Sequence, residues 1–346
     1  MYELPADIDR FTAWAIALPM RDPFETATSS LDHRRVVVVR VESGEHIGWG
    51  EAAPVPGHTP ESLETVWADL QRREPLGALA GAALAQATAD LHAKQAGLAL
   101  WRRLGGTTGV AASAAIGLDH NGQPDRQRLE AVVGAGYRHV KLKISPATDP
   151  AALSELRNAF PRVTLALDAN GSLGVTLTER LRSFDSLGFA YIEQPGAVDD
   201  LAGHAELRQE LTTPIALDES ASSVEAIEQI LRTNATDIVN LKAGRFGTIE
   251  TLDLAKRITA AGLAVRLGGL VETGIGRAHA VALATCREFS VVGDIAGSDL
   301  YFDNDLVDPA WRVDAGQLRP HDRPGIGVDV DVAAIERFAF GRFSVG

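Results

Sequence analysis

Cysteine is nearly absent from this sequence, with a single residue, Cys286, among 346. One thiol cannot build an intrachain disulfide framework, which suits a reducing, cytoplasmic setting. No run of about 18 apolar residues occurs, so no membrane-spanning helix is expected. The opening MYELPADIDRF lacks the basic-then-apolar order of a secretion signal. Basic residues are outnumbered, 33 Lys and Arg against 46 Asp and Glu, for a net charge of −13. That balance argues against a nucleic-acid or anionic-membrane surface. An anionic small substrate is still compatible with it, because a few local lysines and a metal override a global field. Low-complexity tracts, a Walker loop and a Gly-x-Ser-x-Gly elbow are also missing. The composition describes a soluble globular protein, 45 % hydrophobic, large enough for one or two domains.

What is present is a period. Apolar runs end in a polar residue at Lys143, Asp168, Glu193, Asp218 and Lys242, in steps of 25, 25, 25 and 24 residues. Between the runs lie segments such as DPAALSELRNAF and SVEAIEQILRT, whose apolar residues follow helical spacing. Strand plus helix, repeated, predicts βα units on a parallel sheet. LAVRLGG and FSVVGD continue the series and VAASAAIG precedes it, giving roughly eight strands, the size of a compact (β/α)8 barrel. A doubly wound open sheet is the competitor, and no Gly-rich phosphate fingerprint follows a first strand to support it.

The first hundred or so residues differ in texture. FTAWAIAL, RRVVVVRVE and HIGWGEA predict an antiparallel meander, with helices at about 61–71 and 78–98. The tail VDPAWRVDAGQLRPHDRPGIGVDVD is rich in Pro and Gly. The expected organisation is an α+β capping domain over 1–108, a barrel over 109–306, and a segment 307–346 returning to the cap, with a linker near LGGTTG.

In a parallel barrel the C-terminal strand ends gather at one mouth, where chemistry is built. Asp168, Glu193 and Asp218 should converge there from three neighbouring strands. Any one of them alone reads more readily as the cap of the helix after its strand. Three in register would repel one another unless a cation is present. An all-oxygen set suits a hard ion, Mg²⁺ first and Mn²⁺ as a substitute. Lys143 and Lys242 flank the triad and would approach a substrate from opposite sides. In HVKLKISP, Lys141 and Lys143 share one strand face, and Lys141 with a metal would lower the basicity of a catalytic lysine. Solvated lysines on an edge strand are the alternative.

Asn170, in DAN, could touch the metal or form a turn; Glu219 could support the site or start a helix; Glu272, beyond the seventh strand, could face the ligand. Arg245 could bind an acid or anion, though a surface ion pair is the commoner role for such a residue. His92 and His204 are expected on helices and Cys286 in the core. Arg21, Glu25 and His58, in the loops LPMRDPFETATSS and PVPGHTPES, are incidental candidates for substrate contact.

KLK, DAN, EQP, DES and KAG, at these spacings, resemble the muconate-lactonizing subgroup of the enolase superfamily. NLKAGRFG, GHAELRQELTTPIALDES and GGLVETGIGRAHAVALAT are most similar to o-succinylbenzoate synthases and N-succinylamino acid racemases. The resemblance implies a modified TIM-like barrel with a cap, and Mg²⁺ held by Asp168, Glu193 and Asp218. It implies Lys143 as the base and Lys242 as the opposing lysine. The implied reaction is dehydration of a cyclohexadiene carboxylate to o-succinylbenzoate in menaquinone biosynthesis. The same two lysines in a racemase or dipeptide epimerase would exchange protons on opposite faces. A small-molecule carboxylate is the implied partner, and a homo-oligomer is compatible with the family. A non-catalytic binding protein that kept the fold is the third alternative. Departures fall outside the lysines and carboxylates: Glu25 follows DPF where the family has Arg, Leu300 closes AGSDL where relatives carry Arg, and Thr248 replaces a usual Gly.

Overall fold

The computed structural model describes residues 8–25, 30–72, 76–107, 109–174 and 178–345. Part of the loop LPMRDPFETATSS (26–29) and Thr108 of the predicted linker lie outside the described residues, and so does the side chain of Glu25.

The N-terminal meander forms as expected from β1 (Arg10–Glu25), β2 (Ser30–Ser43) and β3 (His46–Ala52). Val36 to Val39 are all buried, as a β-branched run on a covered sheet should be. The helix Ala78–Gln95 lies across this sheet. Gly48 and Gly50 make that approach possible, because a Cβ at either would overlap the carbonyl of Ala87 or Ala83. The other predicted cap helix spans Leu63–Arg72.

Two-residue strand β4 (Val110–Ala111) leads into β5 (Ser113–Ile116), β6 (His139–Lys143), β7 (Thr164–Asp168), β8 (Ile192–Glu193), β9 (Ile215–Leu217), β10 (Ile238–Leu241) and β11 (Ala264–Leu267). The last seven form one parallel sheet in sequence order, the curled sheet of a modified TIM barrel. The eighth strand differs from expectation. FSVVGD makes only one parallel bridge, Val291 with Arg266, and no regular strand. The segment still closes the ring, since Asp294 N–H donates to Leu267 O at 2.9 Å and Ser113 N–H donates to Ile295 O at 3.1 Å. Gly293 explains the irregularity: the backbone presses so closely on Leu267 that no side chain fits.

The tail adds β12 (Val307–Asp308), β13 (Gln317–Leu318), β14 (Asp329–Val330) and β15 (Ala339–Val345). β15 pairs antiparallel with β1, so the cap sheet has four strands in the order β15-β1-β2-β3 rather than the three of the meander. Among the described residues no helix is long and apolar enough to cross a membrane.

Candidate active site

Register builds the site. Lys143 pairs with Asp168 across β6 and β7, and Asp168 pairs with Glu193 across β7 and β8. Asp218 and Lys242 follow directly on β9 and β10. Five consecutive strands therefore deliver the five expected residues to one end of the barrel. Lys141, Lys143, Asp168, Asn170, Asp218 and Lys242 line a single cavity of about 70 Å³.

The acids are not helix caps where caps can be assigned. The helix after β8 is capped by Asp200 and the helix after β9 by Ser223. Freed from that role, the carboxylates face cations. Lys141 Nζ lies 3.0 Å from Asp168 Oδ2, 3.0 Å from Glu193 Oε1 and 2.7 Å from Asp294 Oδ2. Asp218 takes Lys242 Nζ at 2.7 Å and Arg245 Nη1 at 3.1 Å on its two oxygens. Arg245 is thus a buried partner of the site rather than part of a surface pair.

Electrostatics separate the members. Burial alone would depress the Lys141 ammonium, but its three carboxylates hold it well above the ordinary lysine value. Lys141, expected as the cation that would lower the basicity of a catalytic lysine beside it, is thus itself held charged by three carboxylates. Burial also works against ionised Asp218, yet Lys242 and Arg245 keep its carboxyl well below the usual range. For Glu193 burial wins over Arg266 and Lys141, and its carboxyl is pushed up to about 8.

Asn170 sits with φ +44°, the left-handed conformation of its Asn-Gly turn. Its Oδ1 accepts from Lys143 Nζ and its Nδ2 donates to Glu219 Oε1 at 2.9 Å. Both residues thereby join the site. Glu272 is turned instead to Arg277 at 3.0 Å and to the Leu270 N–H at 2.7 Å, and it is Arg277 that lines the cavity. From the cap, His58 reaches the same cavity, and burial together with Lys143 and Lys242 lowers its pKa to about 4. Arg21 pairs with Asp303 on the exposed surface. His92 and His204 lie on helices and Cys286 is buried, as expected.

Comparison with known proteins agrees with this architecture. Residues 125–334 match the enolase C-terminal domain-like family. An o-succinylbenzoate synthase of Geobacillus stearothermophilus is 35 % identical, over 93 % of each chain. An N-succinylamino acid racemase of Thermus thermophilus is 33 % identical, over 93 % of this chain and 94 % of that one. An enolase-superfamily member from Listeria innocua superposes with a TM-score of 0.90 at 29 % identity, covering 98 % of both chains. The chain belongs to the enolase superfamily.

Enzymes of the enolase superfamily generally use Mg²⁺, and the donor set here fits such an ion. Asp168, Glu193 and Asp218 offer buried carboxylate oxygens at the ends of adjacent strands, the donor type a hard cation takes. Beside them the buried Glu219 Oε2 has no hydrogen-bond partner among the described residues. The set is not a finished cage: among the described residues no group of three or more His, Cys, Asp or Glu side chains is placed to hold a metal ion as it stands.

Two charged residues that contact the candidate site escaped the sequence reading. Asp294 and Arg266 are charged residues inside apolar runs, the same signal that marked Lys141. Arg266 Nη1 contacts Glu193 Oε2, Arg266 Nη2 lies 2.6 Å from Asp294 Oδ1, and the guanidinium covers the Tyr191 ring at 4.8 Å.

Proposed function

We propose that this enolase-superfamily enzyme is a Mg²⁺-dependent o-succinylbenzoate synthase, acting on 2-succinyl-6-hydroxy-2,4-cyclohexadiene-1-carboxylate. The observation that carries the reading is that Lys143 and Lys242 line one buried cavity with the carboxylates of Asp168 and Asp218. Synthases at 30–35 % identity over most of the chain support it.

Asp168, Glu193 and Asp218 would hold the ion, which neutralises charge on the substrate carboxylate as the α proton leaves. Lys143, as free amine, takes that proton, and the C–H electron pair enters the carboxylate to give an enediolate. The enediolate electrons then form the new ring double bond as the β C–O bond breaks. The departing hydroxide takes the proton back from the Lys143 ammonium, so the products are o-succinylbenzoate and water. Lys242, fixed by Asp218, places positive charge on the other side of the enediolate. Aromatisation makes the elimination downhill.

A second reading is favoured by the presence of two lysines where elimination needs one base. An N-succinylamino acid racemase or dipeptide epimerase would use Lys143 and Lys242 to remove and return the α proton on opposite faces, and the Thermus relative bears the racemase name.

The test is an ultraviolet assay with Mg²⁺ and the cyclohexadiene precursor, before and after EDTA. Fast, EDTA-sensitive loss of diene absorbance is expected. No loss, with rotation of N-succinyl amino acids decaying in a parallel polarimeter run, transfers the function to the second reading.

A further inference from the structure

Four side chains on the barrel floor form a closed ring of alternating charge. Asp294 gives one oxygen to Lys141 at 2.7 Å and the other to Arg266 at 2.6 Å. Glu193, on the far side, gives Oε1 to Lys141 at 3.0 Å and Oε2 to Arg266. Both oxygens of both acids are therefore engaged by the same two cations. The two acids are not equivalent. Lys141 is tighter on Asp294 than on either Asp168 or Glu193, both at 3.0 Å. Asp294 is also fixed through its backbone: its N–H donates to Leu267 O at 2.9 Å and its carbonyl accepts from Arg277 Nη1 at 3.2 Å.

We propose that Asp294 is a positioning residue for the metal. Lys141 and Arg266 touch Glu193, and Lys141 touches Asp168, as well as Asp294, so the Asp294 carboxylate gives both cations a second anchor on which they can stay when Glu193 and Asp168 turn to a divalent cation. This rests on the reading that Asp168, Glu193 and Asp218 hold that cation. The physical reason is competition. A bound dication must share Glu193 and Asp168 with a lysine ammonium, and two cations on one carboxylate repel each other unless one has another anchor. Asp294 is that anchor, on the face of the ring away from Glu193. Removing its charge leaves Lys141 with only Asp168 and Glu193 as partners, so the lysine becomes the rival of the metal.

Calorimetric titration of Mg²⁺, repeated with Mn²⁺, tests this without reference to turnover. Asp294→Asn is expected to weaken binding about 10–100-fold, the usual effect of losing a partner that orients a metal site. Adding Lys141→Met to Asp294→Asn removes the rival and is expected to restore much of the affinity. Unchanged affinity in D294N overturns the proposal, and so does a weakened D294N that Lys141→Met does not rescue. Where D294N fails to give a native circular-dichroism melt, Asp294→Glu carries the test. It keeps the charge but displaces the carboxylate, and full native affinity in that variant counts against the proposal. A native protein that takes up neither ion removes the metal reading and this proposal together. Binding by the native protein that is unaltered in D294N removes this proposal alone.

Discussion

Lys143 does not stand free at the barrel mouth: its Nζ donates to Oδ1 of Asn170. Asn170 is itself held, because its amide donates to Glu219 at 2.9 Å and its backbone N–H to Asp168 Oδ1 at 3.1 Å. The side chain thus acts as a hook that aims the proposed base. Asn170→Gly removes the hook while tolerating the left-handed backbone at φ +44°. A hydrogen bond between neutral groups, as to Lys143 in its free-amine form, contributes about 0.5–1.5 kcal/mol, so kcat should fall about 2–10-fold. KM and the melting temperature should change little. Steady-state kinetics that show native kcat would remove Asn170 from the mechanism.

The two lysines should separate by reaction. Lys143→Ala is expected to lower kcat about 10²–10⁴-fold, the usual contribution of a general base, with the fold retained by circular dichroism. Lys242→Ala should abolish racemisation equally, since no group then returns the proton on the second face. In elimination it should leave α-proton exchange into deuterated solvent detectable by NMR, because Lys143 still removes that proton. Native turnover by Lys143→Ala would show that the base has been misassigned.

His58 carries a pH signature. Its pKa is lowered to about 4 from an ordinary 6.5 by burial, assisted by Lys143 and Lys242. The unfolded chain then binds more protons than the folded one between those values, so stability rises with pH across that window. Equivalently, His58 costs stability as pH falls from about 6.5 to about 4. His58→Gln, which cannot titrate, should melt with a shallower loss of Tm over the same interval. Parallel melting curves of the two proteins would show that His58 is solvated in the fold.

The barrel and its catalytic end were legible because a strand-plus-helix unit leaves a regular period, and the chemistry sits at a fixed phase of it. Lys143, Asp168, Glu193, Asp218 and Lys242 all obey that phase. Asp294 obeys it less visibly, because Gly293 breaks the eighth strand before it can show an alternating pattern. Arg266 looks from sequence like a solvated residue, and only the closed ring shows that it points inward. Glu272 was weighed as a ligand-facing residue because it follows two glycines, whereas its partner Arg277 faces the cavity. His58 was weighed only as an incidental candidate, because it comes from a turn and only docking of the cap brings it over the lysines. The fourth cap strand, β15, was hidden by more than three hundred residues of chain between it and its partner.

Arg34 joins Glu51, which accepts from Thr273 and Gly276, in tying the cap to the barrel, and its guanidinium gives the final prediction. Arg34 on β2 is 1 % exposed and donates to the carbonyls of Leu270, Val271, Pro54 and Arg35. Burial pulls its pKa down to about 10, which still leaves it charged at neutral pH. Leu270 and Val271 line the catalytic cavity, and Pro54 adjoins the turn that carries His58, so Arg34 ties both walls to the cap sheet. Val271 sits at φ +55°, a strained conformation for a β-branched residue, and its carbonyl is one of those Arg34 holds. Arg34→Met fills similar space but leaves several buried carbonyls unpaired, each costing about 1–3 kcal/mol. The urea midpoint should fall markedly, and KM should rise as the two walls loosen. Val271→Gly removes the strain at the cost of a more flexible unfolded chain, and its stability should stay within about 1 kcal/mol of native. A native midpoint and native KM for Arg34→Met would show that the cap is held to the barrel elsewhere.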